Sequence, residues 1–105
     1  MNKNYIRGRN AEYRGIEFLK KEGYNYVRGA GSHNIDIVAW LVNGKTEKPV
    51  YRFIEVKYGV LSPGAKRLAM QKLRDARFPA SASVELWHFE KYGKYPNITR
   101  VLPIE

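Results

Sequence analysis

A chain of 105 residues that is 44% hydrophobic reads as one domain, residues 1–105, with a sizeable core, which excludes a disordered segment. Lys and Arg number 19 against 10 Asp and Glu, a net charge of +9 and an isoelectric point near 9.9; this points to a polyanionic partner, nucleic acid ahead of a membrane surface, with charge for solubility alone as the plainer alternative. Cysteine is absent, which excludes a disulfide frame and a thiolate metal site and fits an intracellular protein of cytoplasm or nucleoid; no run is apolar enough to span a bilayer, and the basic N-terminus lacks a signal-type apolar segment.

In chain order, residues 1–4 are polar and expected to fray, and the spacing predicts a first helix over 7–22. Ala11, Gly15, Ile16 and Leu19 fall on its inward face, and Gly23 supplies the stop. Glu12 sits at the edge of that face, where a surface Glu paired with a nearby Arg is the ordinary reading. Residues 24–28 read as a short strand, followed by Gly29-Ala30-Gly31-Ser32-His33-Asn34. This segment lacks the Gly-Lys-Ser/Thr ending of a Walker loop. Its small residues let backbone approach a phosphate, with Ser32 and His33 in reach; a plain connector is the alternative.

Residues 35–42 form a strand in which one acid, Asp36, interrupts an apolar run. Asn43-Gly44 signals a hairpin turn with a polar tip through Pro49, and the chain returns antiparallel over 50–56, bringing Asp36 and Glu55 together. Strand alternation places Glu55 and Lys57 on one face with Tyr51 and Phe53, and Ile54 and Val56 on the other. Apolar residues on both faces predict a central strand covered on two sides. Two carboxylates brought close make a hard, oxygen-rich site suited to Mg²⁺ or Mn²⁺, beside which Lys57 can polarise a water or hold a phosphate oxygen. Glu55-x-Lys57 alone is an ordinary strand salt bridge; Asp36 leaves two acids against one base, which a simple pair does not balance.

Residues 59–62 turn, Ser62-Pro63 reads as an N-cap with proline at the first helical position, and Ala65, Leu68, Ala69, Leu73 and Ala76 make a helical stripe stopped by Pro79. Two strands follow, over 84–89 and 98–102, with a turn at Pro96-Asn97. The order α-β-β-β-α-β-β describes an α/β (α+β) domain with a mixed sheet under packed helices. His88, between Trp87 and Phe89, reads as structural, and two distant histidines do not suggest zinc. Gln71 on the second helix is a minor accessory candidate. The tyrosines can stack bases, though packing explains most of their positions.

Glu12 on a first helix, Arg28-Gly29-Ala30-Gly31-Ser32, Ile35-Asp36-Ile37-Val38-Ala39 and Ile54-Glu55-Val56-Lys57 resemble the archaeal-type Holliday junction resolvases, of the PD-(D/E)XK nuclease superfamily, over roughly residues 5–75. Ile35 stands before Asp36 where the superfamily's name has proline, a variation the family tolerates. The resemblance implies a restriction-endonuclease-like core and an Mg²⁺-dependent endonuclease, with Mn²⁺ as substitute, that resolves four-way junctions by paired symmetric cuts. It implies that Asp36, Glu55 and the Val56 carbonyl bind the metal, that Lys57 activates the attacking water, that Glu12 supports metal and water, and that Ser32 lies near the scissile phosphate. Arg7, Arg9, Arg28, Lys3, Lys66, Ser32 and His33 are the candidate contacts to DNA, the basic ones binding phosphates without reading sequence. A junction has two-fold symmetry and one chain carries one set of acids, so a homodimer is the simplest arrangement, with Leu61, Leu68, Met70 and Phe78 as candidate interface residues. Other branched DNA, linear duplex, an RNA partner and a non-catalytic DNA-binding role stay open beside this reading.

Overall fold

The computed structural model describes residues 3–29, 35–41 and 50–103, without the side chains of 3–5. Ser32, His33, the hairpin tip over 43–49 and the Lys3 side chain lie outside the described residues. The elements are α1 (Lys3–Lys21), β1 (Asn25–Arg28), β2 (Ile37–Leu41), β3 (Val50–Tyr58), α2 (Pro63–Asp75), β4 (Ser83–Phe89) and β5 (Asn97–Leu102). They build an α+β arrangement in the expected order: a five-stranded mixed sheet, β1-β2-β3-β4-β5, with two helices. All neighbouring strands run antiparallel except β3 and β4. A parallel pair needs a crossover rather than a hairpin, and α2 is that crossover.

The helix ends follow local chemistry. Gly23 adopts φ +85°, its N–H bonds the Lys20 carbonyl at 3.0 Å, and the Tyr24 N–H bonds Leu19 at 2.9 Å. This is the paired C-terminal motif for which glycine is favoured. At the start of α2, the Ser62 Oγ accepts the Ala65 N–H at 3.1 Å, with Pro63 in the first turn. β2 begins at Ile37, so Asp36 lies just before the strand rather than within it, and two helix boundaries also differ from the sequence pattern. Helix α1 already includes Lys3 and Asn4, since nothing before Gly8 interrupts it. Helix α2 ends at Asp75, ahead of Pro79; Ala76 is extended, and Phe78 leaves the helix to pack on Phe53 with ring centroids 5.1 Å apart.

The alternation along β3 sorts the core into two layers. Ile54 packs with Ile37, Ala39, Trp87 and Phe89 against Ala11, Ile16 and Leu19 of α1, joined by Val56 and Tyr58. Phe53 packs on the other face with Val84, Leu86 and Val101 under Ala69 and Leu73 of α2. The apolar stripe of α2 is narrower than its sequence suggests: Ala69 and Leu73 are buried, whereas Leu68 is 59% exposed. The reason is where α2 docks. It packs on β4 and β5, so β3 is covered by α1 on one face and left partly open beside Glu55 and Lys57 on the other. The expectation of a central strand covered on both sides is thereby corrected for that face.

One buried charge lies within the α1-side layer. Glu85 is 3% exposed and accepts from Arg52 Nε at 2.8 Å, Arg52 Nη2 at 2.6 Å, Ser83 Oγ at 2.8 Å and Trp87 Nε1 at 2.9 Å. The Arg52 guanidinium lies 5.0 Å from the Tyr24 ring centre and 5.3 Å from that of Trp87. Burial pushes the Glu85 carboxyl up, but the hydrogen bonds from Arg52, then Trp87, outweigh it and hold the group below its ordinary value. Among the described residues no helix is long and apolar enough to cross a membrane.

Candidate active site

The site begins just before β2. Arg28 pairs with Ile37 across β1–β2, and Ile37 with Ile54 across β2–β3. One residue earlier the chain bends at Asp36. Its N–H donates to the Ile54 carbonyl on one side at 3.0 Å, and its carbonyl accepts the Gly29 N–H on the other at 2.8 Å. This split frees the side chain from regular strand alternation. The Asp36 Oδ2 accepts the Val56 N–H at 2.7 Å, standing where a further β2 carbonyl would be. An extended residue directs its N–H and C=O toward the same neighbour, so the Val56 carbonyl faces the Asp36 side as well.

Glu55 and Lys57 project from β3 on the Phe53 face, with Lys57 Nζ 3.2 Å from Glu55 Oε1. Glu12 approaches from the α1 side, where Arg28 Nε donates to its Oε2 at 2.8 Å. Arg28 also lies over the Tyr13 ring at 5.3 Å. Asp36 occupies the seam between these pairs. Burial raises its pKa most; the Val56 N–H opposes that, and the charges of Glu12 and Glu55, with a hydrogen bond between the Glu12 and Asp36 carboxyls, push it up again, to about 6. Two of the three acids therefore have a cation each, and Asp36 is the surplus carboxylate.

That surplus bears on whether a divalent ion suits the site. Among the described residues, no three His, Cys, Asp or Glu side chains gather as a metal-holding group. The donor chemistry fits a hard ion taken by Asp36 and Glu55 with the Val56 carbonyl, all oxygen ligands, rather than a cage of three acids. Glu12 reaches Asp36 and Arg28.

The other candidates are spread around this centre. Arg7 lines a cleft at the end of β3 with Tyr58, Gly59, Leu61, His88 and Lys91. Arg9 Nε donates to the Tyr13 hydroxyl at 3.2 Å, one turn away. Lys66 is half-buried in the first turn of α2. His88 bonds the Gly59 carbonyl through Nε2, which agrees with a structural role. Gln71 Nε2 donates to Asp75 Oδ1 at 2.8 Å on the outer face of α2. Of the candidate interface residues, Leu61, Met70 and Phe78 pack against the second core layer, and Leu68 faces outward. Sequence reasoning missed the partners Arg52 and Glu85, although a lone acid in the run Ser83–Phe89 is the same anomaly as Asp36 in its own strand. No protein-family model matches the chain, and no curated protein does.

Proposed function

We propose that this chain is a divalent-metal-dependent endonuclease with a restriction-endonuclease-like core, acting on branched DNA, four-way junctions first, as a homodimer. The observation that carries the reading is the surplus Asp36 carboxylate, seated on the Val56 N–H between Glu12 and Glu55 and pushed up to about 6. Three acids against two bases at one strand end leave room for a cation, not for a closed salt bridge. The net charge of +9 supports a phosphate-rich substrate.

Asp36, Glu55 and the Val56 carbonyl would hold Mg²⁺ or Mn²⁺. When bound, such an ion lowers the pKa of its water and neutralises charge on the phosphoryl group. Lys57, released from Glu55, orients the attacking water; Glu12 holds the Asp36 carboxyl, and Arg28 in turn holds Glu12. Arg7, Arg9 and Lys66 contact phosphates, and the resemblance assigns phosphate contact to Ser32 and His33 as well. Selectivity for a four-way junction, and the two matched cuts that require a dimer, rest on the resemblance to the resolvases.

A second reading has its own observation. Glu12–Arg28 at 2.8 Å and Glu55–Lys57 at 3.2 Å are complete ion pairs, as a DNA-binding module without catalysis would have them. Incubating a labelled immobile four-way junction with Mg²⁺ or Mn²⁺, beside Asp36→Asn and Glu55→Gln, separates the two. The wild type is expected to cut, and both variants to bind without cutting. Equal cutting by the variants removes the site; binding without cutting by the wild type leaves the module. Displacement of the junction by an equal amount of linear duplex removes branch selectivity.

A further inference from the structure

A second surface lies about half a turn around α1 from Glu12. There a cleft of about 580 Å³ opens between the helix and the connection from β4 to β5. Arg14, Phe18 and Lys21 line it from the helix, and Tyr92, Lys94 and Tyr95 from the connection. The proposed nuclease chemistry uses none of these residues.

Two features set the cleft apart from ordinary surface. Tyr92 has φ 64°, the left-handed region where a Cβ is disfavoured and Gly or Asn is usual. The turn from Glu90 to Gly93 imposes that conformation on its third residue, and the turn holds the tyrosine ring out, 84% exposed, with Lys91 Nζ 5.3 Å from its centre as a further cation beside it. Its neighbour Gly93 closes the turn onto the Glu90 carbonyl at 2.8 Å, and a Cβ on Gly93 would meet that oxygen at 3.0 Å. Tyr95, 68% exposed, is braced edge-on by Phe18 at 6.2 Å, and Phe18 is braced by the buried Trp87 at 5.6 Å. An exposed ring is thus fixed directly to the core.

The charges around these rings are unbalanced. Arg14 ties the connection to the helix through the Gly93 carbonyl at 3.3 Å. The one acid in the lining, Glu17, is taken by Lys20 at 3.4 Å. Neither Lys21 nor Lys94 has an ion-pair partner among the described residues. Exposed aromatic faces interleaved with cations match the chemistry of unpaired bases and their phosphates. A duplex keeps its bases stacked inward and offers the rings nothing.

We infer that this cleft binds single-stranded DNA, stacking unpaired bases on Tyr92 and Tyr95 while Arg14, Lys21 and Lys94 neutralise the adjoining phosphates. The site goes beyond the endonuclease reading and does not need it to be right. The test is fluorescence anisotropy with the full chain in EDTA, where no metal-dependent cutting intervenes. The probes are a labelled oligo-dT of about 12 nucleotides and an abasic oligomer of equal length and charge. Oligo-dT is expected to bind at least about tenfold tighter than the abasic oligomer. Tyr92→Gly, which relieves the left-handed strain and so favours folding, and Tyr95→Ala each remove most of that advantage while leaving affinity for blunt duplex unchanged. Lys21→Ala with Lys94→Ala lowers the slope of log affinity against log salt by about 1.4. Equal binding of the two oligomers, or wild-type oligo-dT affinity in both tyrosine variants, overturns the inference.

Discussion

Glu85 in β4 and Asp36 just before β2 are each a single carboxylate in an apolar run, and the sheet surrounds them in opposite ways. Glu85 has four hydrogen bonds, two of them from a half-buried guanidinium, and its pKa is lowered. Asp36 has one backbone N–H and two neighbouring acids, and its pKa is raised to about 6. An acid in an apolar strand is thus no sign of function by itself. The sign is an acid whose surroundings leave its charge uncompensated.

The comparison breaks most sharply at Glu85. Replacing it with Leu leaves the half-buried Arg52 guanidinium without its carboxylate, and urea unfolding should show a loss of about 3 kcal/mol, largely restored when Arg52→Met is added. Asp36 should respond to metal where Glu85 does not. With Mg²⁺ at a hundredfold its Kd and pH above 6, the wild type is expected to gain about 2.7 kcal/mol and Asp36→Asn nothing. A gain of equal size in the variant would place the ion elsewhere.

The two acids also predict opposite pH slopes. The folded pKa of Asp36, about 6, lies above its ordinary value of 3.8, so the native state holds the extra proton and stability falls as pH rises through that interval. Asp36→Asn removes this penalty: its advantage over wild type should be absent near pH 4 and grow to about 2 kcal/mol by pH 7, allowing for solvent screening at a partly open site. Glu85 has a lowered folded pKa, so its contribution is present above its ordinary value of 4.5 and is lost as pH falls through the folded value. Unfolding measured across pH in Asp36→Asn and in the Arg52→Met, Glu85→Leu pair separates the two slopes. The smallest effect is expected at Lys57, whose side chain is 42% exposed. Lys57→Gln should cost under about 1 kcal/mol in stability, while ending cleavage if the proposed chemistry holds.

Much of the fold was legible because it rests on local chemistry. The element order, the inward face of α1 and the alternation along β3 follow from spacing, and Gly23 and Ser62-Pro63 mark helix ends through bonds made within a few residues. Of the site, the nearness of Glu55 to Asp36 follows from the hairpin, and the pairing of Lys57 with Glu55 from strand alternation. The bend at Asp36 was not, because it depends on Gly29 and Ile54 pulling its backbone to opposite sides. Arg28 as the partner of Glu12 was equally hidden, since 16 residues separate them in the chain.

By itself, then, the amino-acid order determined the positive charge, the succession of helices and strands, and which strands would carry a lone acid. Only the tertiary structure decided which acid would be neutralised. Arg52 and Glu85 stand 33 residues apart and meet because β3 and β4 pair in parallel, across a crossover helix that docks on β4 and β5. Compensation of a charge depends on distance in space and on exclusion of water, and neither quantity is written in local sequence.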